Sequence, residues 1–282
     1  MNQSLTHSYR GRSLSLFGLI SGLCVGIGAY LMISGNVLTS ASLGTALAWA
    51  IGAVLAIACA CTRLAERGLT VLTCIGGAAL TLTLFQSGQD DVTRWLAIGS
   101  VRLNAAMLTL PWIVVAMAQS GFRGRIYPAI AVVLAIILAI QPDPSQAFAF
   151  AAAMGVVALH ERNTKALLIA AISIGTALVA IWRNTPLPPI PHVELIIEMA
   201  FETSSLLGFL LILLLAAGAL FPALLARQSG RSEGLALTAY LAVATIAPAF
   251  GWFPVPWAGA GMSFPIGIWL AIGLLLSASK PD

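Results

Sequence analysis

The side chains best placed by type and spacing to do chemistry lie in "PLPPIPHVELIIEMAFETSSLLGFLL", residues 186–211, where His192, Glu194, Glu198 and Glu202 stand at the mouth of a hydrophobic run. Glutamates four residues apart share one face of a helix, and three like charges there repel one another unless water, a cation or an arginine relieves them. Two uses fit the pattern. The face is a solvated amphipathic lead-in to the next helix, or it is a site in which a carboxylate pushed to higher pKa by its neighbours serves as a general base.

Two further groups have the same character. In "QPD", residues 141–143, Pro142 ends one helix and leaves the Asp143 carboxylate at its mouth. There it can cap the exposed amides of the following helix or bind a cation, a divalent ion included. In "DDVTRWLAIGSVRLN", residues 90–104, Trp95 can lie at the lipid headgroup level while Arg94 and Arg102 meet phosphates. Anchoring at the membrane interface is the simpler use of that pair, and binding of a phosphorylated substrate is the sharper one.

These groups must be positioned by apolar elements, because little else is available. The chain has 282 residues, of which 59% are hydrophobic and 9% charged, and its mean hydropathy is +0.96. A soluble core of that size cannot hide so much apolar surface, so the surplus must face lipid. Apolar runs of near-bilayer length are expected at about 14–33, 44–62, 69–86, 103–119, 126–141, 145–160, 166–182, 203–225, 235–252 and 260–278. The sequence therefore reads as an all-α polytopic membrane protein with about ten transmembrane helices in a single domain, residues 1–282. No soluble segment is long enough for a nucleotide-binding or extramembrane catalytic domain.

Orientation follows from the cations. With both termini cytoplasmic, the inner segments hold Arg10, Arg12, Arg63, Arg67, Arg123, Arg125, Arg162, Lys165, Arg227, Arg231 and Lys280, against Arg94, Arg102 and Arg183 outside. Asp90, Asp91, Asp143, Glu194, Glu198 and Glu202 then face outward. The positive balance thus reports membrane topology and does not point to nucleic acid. The first span reads as a retained anchor and not a cleaved signal. Cys24, Cys59, Cys61 and Cys74 lie in or at the ends of spans, which argues against a disulfide framework, and Cys59 with Cys61 has no histidine nearby to complete a metal site.

In order along the chain these pieces resemble the SEDS family (shape, elongation, division and sporulation), the FtsW/RodA membrane glycosyltransferases. "TRWLAIGSVRLN" stands where that family has an Arg-Trp followed by Gly-rich and Gln-Pro-Ser-Glu elements, and "QPDPSQA" stands for its Gln-Pro-Asp-Leu-Gly-Thr-Ala. "LPPIPHVELIIEMAFETSSLLGFLLILLL" stands for its Leu-Pro, His-Thr-Asp-Phe-Ile-Phe, Glu-Glu and Gly signature, and "FPVPWAGAGMSFPIGIWLAIGLLLS" for its Pro-rich outer loop and Gly-containing last helix. Aligned without gaps, His192 and Gly208 match, Glu202 falls on the first Glu of the pair, and the Asp becomes Glu194.

The resemblance implies ten spans in a bacterial cytoplasmic (inner) membrane, a functional face that is periplasmic or extracellular, and an undecaprenyl-linked disaccharide as substrate. It also implies a transpeptidase-like membrane partner beside the surrounding lipids. Glu194 then becomes the base that activates a sugar hydroxyl, Asp143 binds a cation or orients the site, and Arg94 and Arg102 hold the donor pyrophosphate. The departures are specific. Glu194 adds a methylene, and displacing a base by about an ångström costs on the order of a hundredfold. The Gln-Pro-Ser-Glu element falls on Asn104, Ala105, Ala106 and Met107, the family's following Lys on Leu110, and its Tyr-Gly-Gly-Ser on "AGMS", residues 260–263. The long outer loop before His192 is missing. A glycosyltransferase with a reduced active site and a non-catalytic scaffold or accessory subunit, able to bind lipid, therefore both fit. A proton- or lipid-translocating path along the glutamates would need ionisable groups deep in the spans, which are almost absent.

Overall fold

The computed structural model describes the chain apart from residues 1–2, 38, 63, 87, 89–91, 123, 184–186, 230–231, 252 and 278–282. Arg63, Asp90, Asp91, Arg123, Arg231 and Lys280, placed above by the sequence, lie outside the described residues. In chain order the elements are α1 (Gln3–Ser34), α2 (Thr39–Cys61), α3 (Glu66–Thr83), β1 (Trp95–Ile98), β2 (Val101–Asn104), α4 (Ala105–Ser120), α5 (Ile126–Ile140), α6 (Pro144–Glu161) and α7 (Thr164–Trp182). The short helices α8 (Pro191–Glu194) and α9 (Ile196–Thr203) follow, then α10 (Ser205–Ser229), α11 (Ser232–Ile246) and α12 (Ser263–Ser277).

Ten of these helices, α1 to α7 and α10 to α12, coincide with the ten apolar runs. Five stretches are long and apolar enough to cross a membrane by length and composition, namely Tyr9–Ser34, Thr39–Cys61, Thr164–Trp182, Ser205–Ala226 and Ser232–Phe250. Their outward surfaces are leucine and isoleucine, as at Leu19, Leu43, Leu168 and Leu213, so the apolar excess of the sequence does sit on the outside. Residues 103–104, assigned above to the start of a span, belong to strand β2 instead, and α4 begins only at Ala105, where the Asn104 side chain accepts from the Met107 N–H at 3.0 Å.

The chain divides into two compact units. One comprises Met1–Arg63, Pro188–Phe221 and Thr245–Asp282, the other Leu64–Leu187 and Pro222–Ala244. In the first, α2 and α12 pack closely because glycine lets them. A Cβ on Gly273 would stand 2.6 Å from the Ala56 carbonyl oxygen, and one on Gly52 would stand 2.9 Å from the Trp269 ring. Phe17 of α1 fills the middle of this unit, edge-on to Trp269 with ring centres 4.7 Å apart and against Phe221 at 5.4 Å. The buried Arg10 donates to the Ala60 carbonyl at 3.2 Å, satisfying the C-terminal turn of α2.

In the second unit α3 lies on α4 through Gly76, whose Cβ would meet Ile113 and Trp112 at 2.7 Å. The antiparallel hairpin β1–β2 pairs Trp95 with Asn104, Leu96 with Leu103, Ala97 with Arg102 and Ile98 with Val101. Its two-residue turn places Gly99 at φ 60, a backbone conformation open to glycine without strain.

Candidate functional site

The first unit carries His192, Glu194, Glu198 and Glu202. Pro191 opens α8 at a position where its missing N–H costs nothing. The Glu194 carboxylate reaches back to accept from the Ile190 N–H at 2.8 Å, a capping contact at the start of that helix. The chain then breaks at Leu195 (φ −107°, ψ 22°) before α9. The cause lies far along the sequence. The His192 carbonyl accepts from the Ala260 N–H at 2.7 Å and the Val193 carbonyl from the Val255 N–H at 3.1 Å, so the loop before α12 takes two acceptors that a continuous helix would have used.

That loop is held firmly enough to do so. Trp257 sits buried at φ 57, a costly conformation for a bulky residue, with its ring edge-on to Phe17. Gly259 passes so close to α8 that a Cβ would collide with the Val193 carbonyl oxygen, and at Gly28 a Cβ would collide with the carbonyl oxygen of Ala258. Only glycine permits these approaches.

The break corrects the reading of three glutamates on one helical face. Glu198 and Glu202 share the exposed face of α9, whereas Glu194 belongs to the preceding turn and is half-buried. Burial raises the Glu194 pKa above the ordinary carboxylate value, opposed in part by the Ile190 N–H. Burial likewise lowers the His192 pKa below its ordinary value, which keeps the imidazole neutral at pH 7. Two residues apart on one turn, the pair points to different sides. His192 lines an open pocket of about 350 Å³ with Val37, Ser40 and Ala41 from the start of α2.

The second unit carries Asp143, Arg94, Trp95 and Arg102. Asp143 is buried at the N-cap of α6, where one carboxylate oxygen accepts from the Gln146 N–H at 3.2 Å and from the Ser145 hydroxyl at 2.8 Å. The other oxygen lies 3.8 Å from Arg94 Nε. The Arg94 guanidinium, itself buried, also donates to the carbonyls of Gln141 and Pro142. It therefore clamps the Gln-Pro-Asp turn. Gln141 reaches the Leu80 carbonyl and the Thr83 hydroxyl of α3, and Tyr240 donates to Gln146. Trp95 is half-buried on β1 and Arg102 is exposed on β2.

A divalent cation at Asp143 would share the carboxylate with the two donors on one oxygen and the guanidinium facing the other. Glu194 offers a single carboxylate, and among the described residues no group of three or more His, Cys, Asp or Glu could hold a metal ion. The positions aligned with the family's Glu and Lys, Met107 and Leu110, are packed into apolar core. The sequence pointed to Arg94 and Asp143 separately. Their pairing, the closing of the Gln141 network and the role of Gly259 carry no local signal, because each partner is distant in the chain.

No family model and no characterised protein sequence matches the chain. Its architecture does have counterparts among solved structures. Two crystal structures of the rod shape determining protein RodA from Thermus thermophilus, one of them a point mutant, superpose with TM-scores of 0.68 and 0.67 at 18% and 17% identity, covering 93% of this chain and 95% of theirs. A chain of a peptidoglycan synthase complex that couples polymerisation and crosslinking superposes with a TM-score of 0.63 at 16% identity, covering 93% of this chain and 96% of its own. The chain is a multi-pass membrane protein with the SEDS-like fold of RodA.

Proposed function

We propose that this protein is a SEDS-type glycosyltransferase with a reduced active site, acting on an undecaprenyl-linked disaccharide at the outer face of a bacterial cytoplasmic membrane. The observation that carries the proposal is Glu194. It is the one carboxylate of the candidate set that is half-buried and raised in pKa, and it is held at the start of α8 by the Ile190 N–H, a setting suited to taking a proton from a sugar hydroxyl. In the second unit Arg94 and Asp143 hold the Gln-Pro-Asp turn together, and Arg102 is exposed on β2. The inward concentration of cations supports cytoplasmic termini. A transpeptidase-like membrane partner completes the proposal, in line with the synthase complex of similar fold.

The test is glycan polymerisation from purified lipid-linked disaccharide, with the native protein beside Glu194→Gln and with any membrane protein that co-purifies. Polymer that disappears in the variant supports the reading. A second reading is favoured by the apolar burial of Met107 and Leu110, where a charged pair would sit in the family pattern. In that reading the fold is a non-catalytic scaffold within a membrane complex, and the absence of product under every partner and cation condition would select it.

A further inference from the structure

The β1–β2 hairpin sorts its side chains by the register of its strands. Ile98 pairs with Val101 and Leu96 with Leu103, and because side chains alternate across a strand these four share one face. Trp95, Ala97, Arg102 and Asn104 share the other. One face is thus wholly aliphatic, and its turn end is uncovered: Ile98 is 65% exposed and Val101 38%, while Leu96 and Leu103 are half-buried. At 82% exposed, Phe85 stands beside it, since the Ala97 N–H of β1 donates to Gln86 Oε1 at 2.7 Å and ties the strand to the turn that ends α3.

Below that turn α3 presents an outward stripe at Val71, Ile75, Ala78 and Leu82, spaced three to four residues apart and exposed throughout. In a multi-pass membrane protein such a stripe faces acyl chains. The hairpin therefore adjoins the C-terminal end of that stripe, and Arg102 on its reverse face is exposed.

We infer that the β1–β2 hairpin is a membrane-surface anchor that rests its Leu96, Ile98, Val101 and Leu103 face on the leaflet at the C-terminal end of α3, with Arg102 at the lipid phosphates. Its depth is limited by its backbone. A two-stranded ribbon has no neighbouring strand at either outer edge, so its outward backbone groups, the Ala97 N–H bonded to Gln86 apart, call for water, and the strands stay in the hydrated headgroup layer while only side chains reach the acyl boundary.

The experiment uses the full-length protein with its four native cysteines replaced by alanine, reconstituted in phosphatidylglycerol–phosphatidylethanolamine vesicles. Single nitroxide labels are placed at Ile98→Cys, Val101→Cys and Ala97→Cys, all at exposed positions. Collision with oxygen, which concentrates in lipid, and with a water-soluble nickel chelate is measured at each. Oxygen is expected to dominate at 98 and 101 and the nickel chelate at 97. Equal access of the chelate to 97 and 98 would show a hairpin standing in water. Exclusion of both reagents at 98 would show a protein covering that face. Either result overturns the inference.

Discussion

Two buried or half-buried carboxylates, one in each compact unit, show how differently similar residues are used. Asp143 accepts from a backbone amide and a hydroxyl and faces an arginine that is itself bonded to the neighbouring carbonyls. Glu194 has only backbone donors, a raised pKa and a setting maintained from outside by the loop that holds α8. A buried charge surrounded by partners fixes structure, because proton transfer there would undo the contacts that hold it. A half-buried charge with capacity to spare can exchange a proton at modest cost.

The comparison is broken most severely at Asp143. Asp143→Ala leaves the Arg94 guanidinium buried without its carboxylate and removes the α6 cap, with an expected loss of about 3–5 kcal/mol that thermal unfolding in detergent would read. An unchanged midpoint would remove the structural role assigned to the pair. A smaller loss, about 1–3 kcal/mol, is expected for Gly259→Ala, whose Cβ pushes the loop away from the Val193 carbonyl. Amide exchange at Val255 and Ala260 should quicken in that variant, and unaltered exchange would mean that α8 keeps its seat without them.

Titration sharpens the contrast further. A base must be ionised, so glycan synthesis should climb with pH through a midpoint above the ordinary glutamate value of 4.5. The sign for stability is opposite. A carboxyl whose folded pKa is raised stabilises the fold below its unfolded pKa, and that contribution is lost as pH rises through the folded pKa. Activity and this part of stability should therefore move in opposite directions across one window, and a rate flat through it would exclude Glu194 as the base. The smallest effect belongs to Glu198→Gln with Glu202→Gln on the exposed face of α9, where unfolding should change by no more than about 0.5 kcal/mol. A large loss of stability there would mean that these side chains have partners beyond solvent.

Hydropathy was enough to place the ten long helices, because a stretch such as "LLGFLLILLLAAGALF" has no alternative to a span. It misassigned residues 103–104 for the same reason, since an apolar window cannot separate the end of a short strand from the head of a helix. The local signal was present in "WLAIGSVRLN", two apolar runs around Gly99-Ser100. The four-residue spacing of Glu194, Glu198 and Glu202 misled more deeply. Helical periodicity assumes that each carbonyl finds its partner four residues on, and those of His192 and Val193 find theirs in the loop before α12.

That capture also has a meaning in time. A membrane protein is made from its N-terminus and its early helices can enter the bilayer while later ones are still being synthesised. The turn bearing Glu194 cannot adopt its final shape until the ribosome has delivered Val255 and Ala260. A nascent chain halted after α11 would already allow the local bond between Glu194 and the Ile190 N–H but neither of the bonds from Val255 and Ala260 that hold α8, so the turn is completed only after α11 has been made.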